Sequence, residues 1–333
     1  MQRRAPAAPW GRIWALVLAV TLLGGLGLER FVRARGYEPS IKDDAWAWAW
    51  ERGRIDGDPH AVAILGGSRI LLAFDAATFR RELPGYTPVQ LAVNGTQPIG
   101  TLRALAADPD FRGVVIVDTS ELGFLHQNWA TQDAELDAYR RGWARAPGAM
   151  AERYLATLVQ SHVALVTAGG PRLLEGLLLQ GQWPGPRYVV THADRTRYAD
   201  YDLADASKLR RAHEIVFHPE EITAAEELEM RLAEALETEP AIRAIQARGG
   251  KVVYLRMPTC GARWLADEAA RPKAAFWDRL AARTAAAAAI HFKDHEALAH
   301  FDCPDLSHLD SRDGPAFTRG LVEVLVARGV VAR

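Results

Sequence analysis

From Ile13 to Leu28 the chain reads IWALVLAVTLLGGLGL without a charged residue; Arg3, Arg4 and Arg12 precede this run, and Glu29, Arg30, Arg33 and Arg35 follow it. A helix that is apolar all round does not suit a globular core, where one polar stripe is the rule. At helical rise the run spans about 24 Å, against a hydrocarbon core of roughly 30 Å, and Trp10 with snorkelling arginines makes up the deficit. A cleaved signal needs a small-x-small site after the run, which LGGLGLERFVRARG lacks, and a lipoprotein start needs a cysteine there. The pattern predicts an uncleaved anchor, with 1–35 as tail and membrane helix and 36–333 as the body. Arginines flank both ends, so charge alone orients the anchor only weakly.

Past the anchor the pattern changes to short apolar runs that end in turns. AVAILGG begins at Ala61, and PVQLAVNG, GVVIVDTS, KVVYLRMP and AIHFKD follow. Each has the length and the continuous apolarity of a strand buried on both faces. Between and after them lie predicted helices: from a cap at Asp75 through Arg81, over Ile99–Ala107, over Arg271–Ala289 and over Pro315–Arg328. Alternating strands and helices predict an α/β fold, a three-layer αβα sandwich around a parallel sheet. Trp46, Trp48 and Trp50 alternate as in a strand, but their alanine-rich context suits a helix, and the pattern leaves both open. The stretch from about 122 to 250 reads as a largely helical insertion, with helices over 133–160, 170–180 and 219–247. It either caps a site or completes the helical layer of the sheet.

Composition narrows the function. Hydrophobic residues make up 49% and charged residues 24%, which is globular, and 40 basic against 41 acidic side chains leave a net charge of −1. Such a balance provides no field for a polyanion, so no nucleic-acid partner is expected. The two cysteines, Cys260 and Cys303, form neither a CxxC nor a zinc pattern. HEALAH (295–300) resembles a zinc-helix motif, but its spacing of five turns the two histidines about 140° apart, and His291 does not repair this. No metal and no cofactor are expected.

In open parallel sheets, ligands meet the carboxyl ends of the strands. The turns there carry Gly66-Gly67-Ser68-Arg69, Asn94-Gly95-Thr96, Asp118-Thr119-Ser120, Arg256-Met257-Pro258 and the loop DCPDLSHLD (302–310). Ser68 follows two glycines and precedes a helix, a turn that exposes a hydroxyl; the plain alternative is a capping turn. Asp305 and His308 stand three apart, so one carboxylate can fix the imidazole tautomer while the other ring nitrogen faces a serine; the plain alternative is a cap beside a surface histidine. All three sit after strands, in the order Ser, Asp, His.

These blocks resemble the SGNH (GDSL-like) hydrolase superfamily, and within it the membrane-anchored bacterial branch that acts on envelope polymers. ILGGSR (64–69), VNG (93–95), YLRMP (254–258) and CPDLSHLDSRDGPAFTRGL (303–321) carry the resemblance over about 60–330, most of the middle excepted. It implies Ser68 as nucleophile, His308 as general base and Asp305 as its orienter. The Ser68 and Gly95 amides would form an oxyanion hole, with Asn94 adding a side-chain donor. It also implies a serine-dependent acyl ester hydrolase or O-acyl (acetyl) transferase on an extracytoplasmic glycan, in a single-pass inner-membrane protein with its body in the periplasm. The expected partners are an acylated glycan or other envelope ester, an integral-membrane acyl-donor protein, and the membrane itself through 13–28. The alternative is an envelope protein of this fold that binds glycan or a membrane partner with little or no catalysis.

One departure favours that alternative. The family places Gly-x-Asn-Asp after the third strand, and this chain has Asp118-Thr119-Ser120-Glu121. Losing such an oxyanion donor raises a barrier by about 3 kcal/mol; Asn128 is the candidate to replace it. Arg69 and Arg256 are candidates for binding an anionic substrate, or else ion-pair partners of Asp75 or Asp305. Trp183, Trp264 and Trp277 could stack on sugars or fill the core, and His126 could line the cleft or sit in a plain loop. If the strands before Cys260 and Cys303 are neighbours, both cysteines lie at one sheet edge and in an oxidising compartment would pair; two buried thiols are the alternative.

Overall fold

The computed structural model describes residues 9–142, 146–167, 179, 185–213 and 224–333. Its centre is a five-stranded, all-parallel sheet. The strands are β1 (Ala61–Leu65), β2 (Thr87–Gln90), β3 (Val114–Asp118), β6 (Lys251–Arg256) and β7 (Ala288–His291), in the order β2-β1-β3-β6-β7. Ile64 pairs with Ile116, Val117 with Tyr254 and Leu255 with Ile290. Every residue of β1 and β3 is buried, as helices on both faces require. Alternate residues feed two cores. Val62, Ile64 and Ile116 pack with Phe79, Phe317 and Leu321 on one face. Ala63, Leu65 and Val117 pack with Trp48, Leu102, Leu232 and Ile245 on the other. This is the predicted αβα arrangement. The chain leaves β1 toward β2 on one side and is joined by β3 on the other, so the crevice of the sheet opens at the ends of β1 and β3.

Local chemistry explains the start of two helices that flank the site's strands. Asp75 caps Ala76–Glu82 by accepting from the Thr78 amide (2.6 Å). Asp44 caps Ala45–Gly53 through the Ala47 amide (3.0 Å), and this helix resolves the tryptophan alternation. Trp48 turns fully inward and donates its Nε1 hydrogen to Leu91 O, whereas Trp46 stays exposed.

One expectation needs correction. Arg271–Ala289 is not one helix: only Trp277–Arg283 is helical after a 3-10 turn at Lys273–Ala275. The alanines bend into β7, because Glu239 accepts from the Ala285 amide and Ala287 donates to Val252 O. Sheet pairing outweighs the helix propensity of alanine, which is worth only tenths of a kcal/mol per residue, about 0.7 at most. The long connection between β3 and β6 is largely helical. It also contains an antiparallel pair, β4 (Val189–Thr191) with β5 (Arg197–Ala199). Its last helices, Ala225–Leu236 and Glu239–Ala247, bury Leu232, Ile242 and Ile245 against the sheet and complete the helical layer. The stretch expected to be helical over 133–160 comprises two helices, Asp133–Gly142 and Pro147–His162; that expected at 170–180 lies outside the described residues save 179.

Helix Trp10–Arg33 has a mean hydropathy of 1.8 over its most apolar window and buries only Val32. It is long and apolar enough to cross a membrane.

Candidate active site

The site grows from the crevice. β1 ends at Leu65, and at Gly66 a Cβ would meet Ile70 Cγ2 at 2.6 Å and the Asp118 side chain at 2.8 Å, so only glycine lets the strand turn there. Ser68 is the first residue of helix Ser68–Ala73, which leaves its amide pointing outward. Gly95, at φ +74°, turns the chain after β2 and lines the same cavity. Among the described residues neither amide is paired.

Opposite Ser68 lies the loop after β7. The Asp305 carboxylate folds back on its own turn, with Oδ1 accepting from the amides of Ser307 (2.9 Å) and His308 (2.8 Å). Its Oδ2 meets His308 Nδ1 at 2.8 Å, and His308 Nε2 lies 2.7 Å from Ser68 Oγ. Leu306 holds φ +72°, a conformation that costs a branched residue energy and persists only where the surroundings enforce it. Here they do: Cys260 and Cys303 are joined by a disulfide, and the Cys260 amide donates to Leu306 O.

Two further residues reach Asp305 from the β3–β6 connection. The buried Tyr201 hydroxyl donates to Asp305 Oδ2 at 2.8 Å. His213 Nδ1 lies 3.4 Å from the same oxygen, its ring edge-on to His308 at 5.2 Å. Sequence reading missed both, because neither belongs to a motif and their proximity to Asp305 exists only in the fold. Arg263 was missed too; it lines the cavity and donates to His213 O.

Electrostatics are consistent with the roles these atoms could play. Burial alone would raise the Asp305 carboxyl, but the His308 hydrogen bond and charge and the loop amides hold it well below the usual carboxylate range. Burial, with Asp305 adjacent, pushes the Tyr201 phenol far up, so it remains a donor. Burial, aided by the charges of His308, Arg263 and Arg69, lowers His213 against the pull of Asp305. Asp118 is raised to about 6 by burial, with Arg69 and Arg256 opposing. Arg69 is lowered to about 10, first by burial and then by Arg256, so it is still charged at neutral pH.

The cavity around Ser68 has a volume of about 260 Å³, and Gly67, Thr96, Ser120, Arg69, Arg263 and His308 are among its walls. Of the weaker candidates, Arg69 lines it and donates Nε to Ser307 Oγ (3.3 Å). Arg256 does not line it: the side chain is buried behind the site, bonded to Asp267 (3.2 Å) and Met257 O, so neither the anion role nor pairing with Asp75 or Asp305 holds. Asn128 is spent on Leu122 O (2.7 Å) and does not face the cavity, and Asn94 is exposed beside Gly95 without lining it. Trp264 and Trp277 pack on His291 as part of the core, His126 pairs with Glu234 and Glu237, and Trp183 lies outside the described residues. Of the HEALAH histidines, His300 is bonded to Glu296 O. Among the described residues, the donor set that is gathered is His213, Asp305 and His308, within 4.8 Å of one another, where a divalent cation would have to displace the proton between Asp305 and His308. A larger cavity of about 890 Å³, lined by Tyr188, His192 and Asp194 among others, lies apart from Ser68.

No protein-family model and no curated protein sequence matches the chain. Among solved structures the chain is similar to TesA, at 12% identity and a TM-score of 0.36, over 80% of this chain and 99% of that one. The chemistry of the site rests on its geometry.

Proposed function

We propose that the chain is a membrane-anchored, serine-dependent acyl ester hydrolase or O-acyl (acetyl) transferase of the SGNH type, acting on a glycan or other ester of the cell envelope. The observation that carries the reading is the continuous path Asp305–His308–Ser68, which ends in the cavity that Gly95 also lines. Ser68 Oγ attacks the acyl carbonyl and passes its proton to His308 Nε2. Asp305 holds the other nitrogen and stabilises the imidazolium. The Ser68 and Gly95 amides receive the oxyanion. The protonated His308 then returns its proton to the leaving alkoxide, and water or a sugar hydroxyl, activated by the same base, takes the acyl group from Ser68. Arg69 and Arg263 favour a polar or anionic acceptor. A body outside the cytoplasm is the compartment that the resemblance implies, and a disulfide beside the site supports that reading.

A second reading, a binding protein with little turnover, draws on Asp118. It heads the block that departs from the family's Gly-x-Asn-Asp, in which Ser120 holds the asparagine's place, and it is buried beside Arg69 and Arg256. A fluorophosphonate probe on the detergent-solubilised full chain separates the two. Labelling that is lost in Ser68→Ala supports the enzyme, and an intact but unlabelled protein supports the binding protein.

A further inference from the structure

Helix Pro147–His162 presents Leu155, Leu158 and Val159 at 58%, 47% and 45% exposure, and Val166 continues the face at 50%. Positions 155, 158 and 159 follow helical spacing, so they form one apolar stripe rather than scattered residues. Its opposite side is fixed to the body. The buried Arg153 donates to Asp44 Oδ1 (3.3 Å) and Lys42 O (3.0 Å), and Gln160 Oε1 accepts from the Lys42 amide (2.8 Å). The helix therefore cannot roll to bury its leucines.

The stripe lies beside the end of the membrane helix. Glu29 is the first charged residue after Leu28, which sets it at the hydrocarbon boundary. Its carboxylate accepts from the Ala164 and Leu165 amides, both at 2.9 Å, and from Arg33 Nε at 2.6 Å. Arg33 also donates to His162 O at 2.7 Å, and Val32 packs with Ala164. Residues 162–165 thus share the level of that boundary. Val159 and Leu158 lie within about one turn of His162 and Leu155 within about two, so a helix lying along the surface keeps all three at that boundary, where interfacial helices sink their apolar faces roughly 5–10 Å into the headgroup and acyl region.

We infer that the apolar face of Pro147–His162, together with Val166, lies in the bilayer interface as a second membrane contact beside the span. The occupant is lipid because residues 162–165, at the end of the stripe, are bonded to Glu29 and Arg33 of the membrane helix, at the height where headgroups begin. The inference rests on the reading of Trp10–Arg33 as an anchor. Its consequence is that the body does not swivel on a single tether, and the Ser68 cleft is held at a fixed height above the lipid.

The test uses the full chain in phosphatidylcholine–phosphatidylglycerol vesicles. Both native cysteines are bonded, so a single introduced cysteine takes a fluorescent NBD label alone. Leu155→Cys and Leu158→Cys should emit to the blue of Glu323→Cys, and lipids with a shallow nitroxide should quench them several-fold more. A Leu22→Cys probe, read with a nitroxide placed deep on the acyl chain, reports the span. If Leu22 is quenched and positions 155 and 158 are not, the interfacial contact is refuted while the anchor stands. Blue-shifted but unquenched probes at 155 and 158 mean a protein occupant and also refute it. An unquenched Leu22 overturns the anchor and the contact together.

Discussion

Replacing Tyr201 by Phe isolates one hydrogen bond. The ring keeps its buried place, and only the hydroxyl 2.8 Å from Asp305 Oδ2 is lost. Asp305 retains the amides of Ser307 and His308 and the contact with His308 Nδ1, so no charge is stranded. A hydrogen bond to a charged acceptor contributes about 1.5–3 kcal/mol. With three donors remaining, the loss in stability should fall at the low end, about 1.5 kcal/mol. The effect on the reaction has a definite sign. Relieved of one donor, the carboxylate attracts the imidazolium more strongly, so the acid limb of kcat/KM moves to higher pH. A transmitted share of about 0.7–1.4 kcal/mol corresponds to a shift of about half to one pH unit. The other groups facing Asp305 are His213, lowered chiefly by burial, and Arg69, which acts through Ser307. The profile is measured on a small acetyl ester, with urea unfolding as the stability assay. Tyr201→Phe with an unmoved acid limb would refute the positioning role, even if the protein were destabilised.

Ser68→Ala and His308→Ala should each reduce ester hydrolysis to background, whereas Asp305→Asn leaves a measurable residue because the carboxylate orients rather than reacts; wild-type rates in Ser68→Ala would end the assignment. The disulfide closes a sequence separation of 43 residues, for which chain entropy predicts about 4 kcal/mol. The Cys260→Ser/Cys303→Ser double variant should lose up to that much in denaturant unfolding, and a loss near zero would refute the estimate. Asp118 is raised from 3.8 to about 6, so the native state binds its proton more tightly and wild-type stability falls as pH rises through that window, by about 3 kcal/mol. Asp118→Asn removes that term: its stability relative to wild type should rise between pH 4 and pH 7, and a constant difference would contradict the buried, ionising carboxyl.

The sequence by itself determined the sheet. Five short apolar runs, each closed by a turn, cannot leave their backbone groups unpaired in a core, and continuous apolarity requires cover on both faces. It also determined where chemistry was to be sought, because glycine before Ser68 and the Asp-x-x-His spacing are local features whose physics needs no tertiary knowledge. Propensity misled at Ala285–Ala289, where a neighbouring strand and Glu239 supplied stronger bonds than the helix would have. The tertiary structure alone decided who surrounds Asp305. Tyr201 and His213 lie 104 and 92 residues away in sequence, and no periodicity encodes a contact across such a distance. It likewise decided the fate of Arg256 and Asn128. Arg256 ends β6 and Asn128 lies in the loop after β3, but whether such a side chain turns into a cleft or onto a nearby carboxylate or carbonyl depends on which partner is closer, and here Asp267 and Leu122 O are.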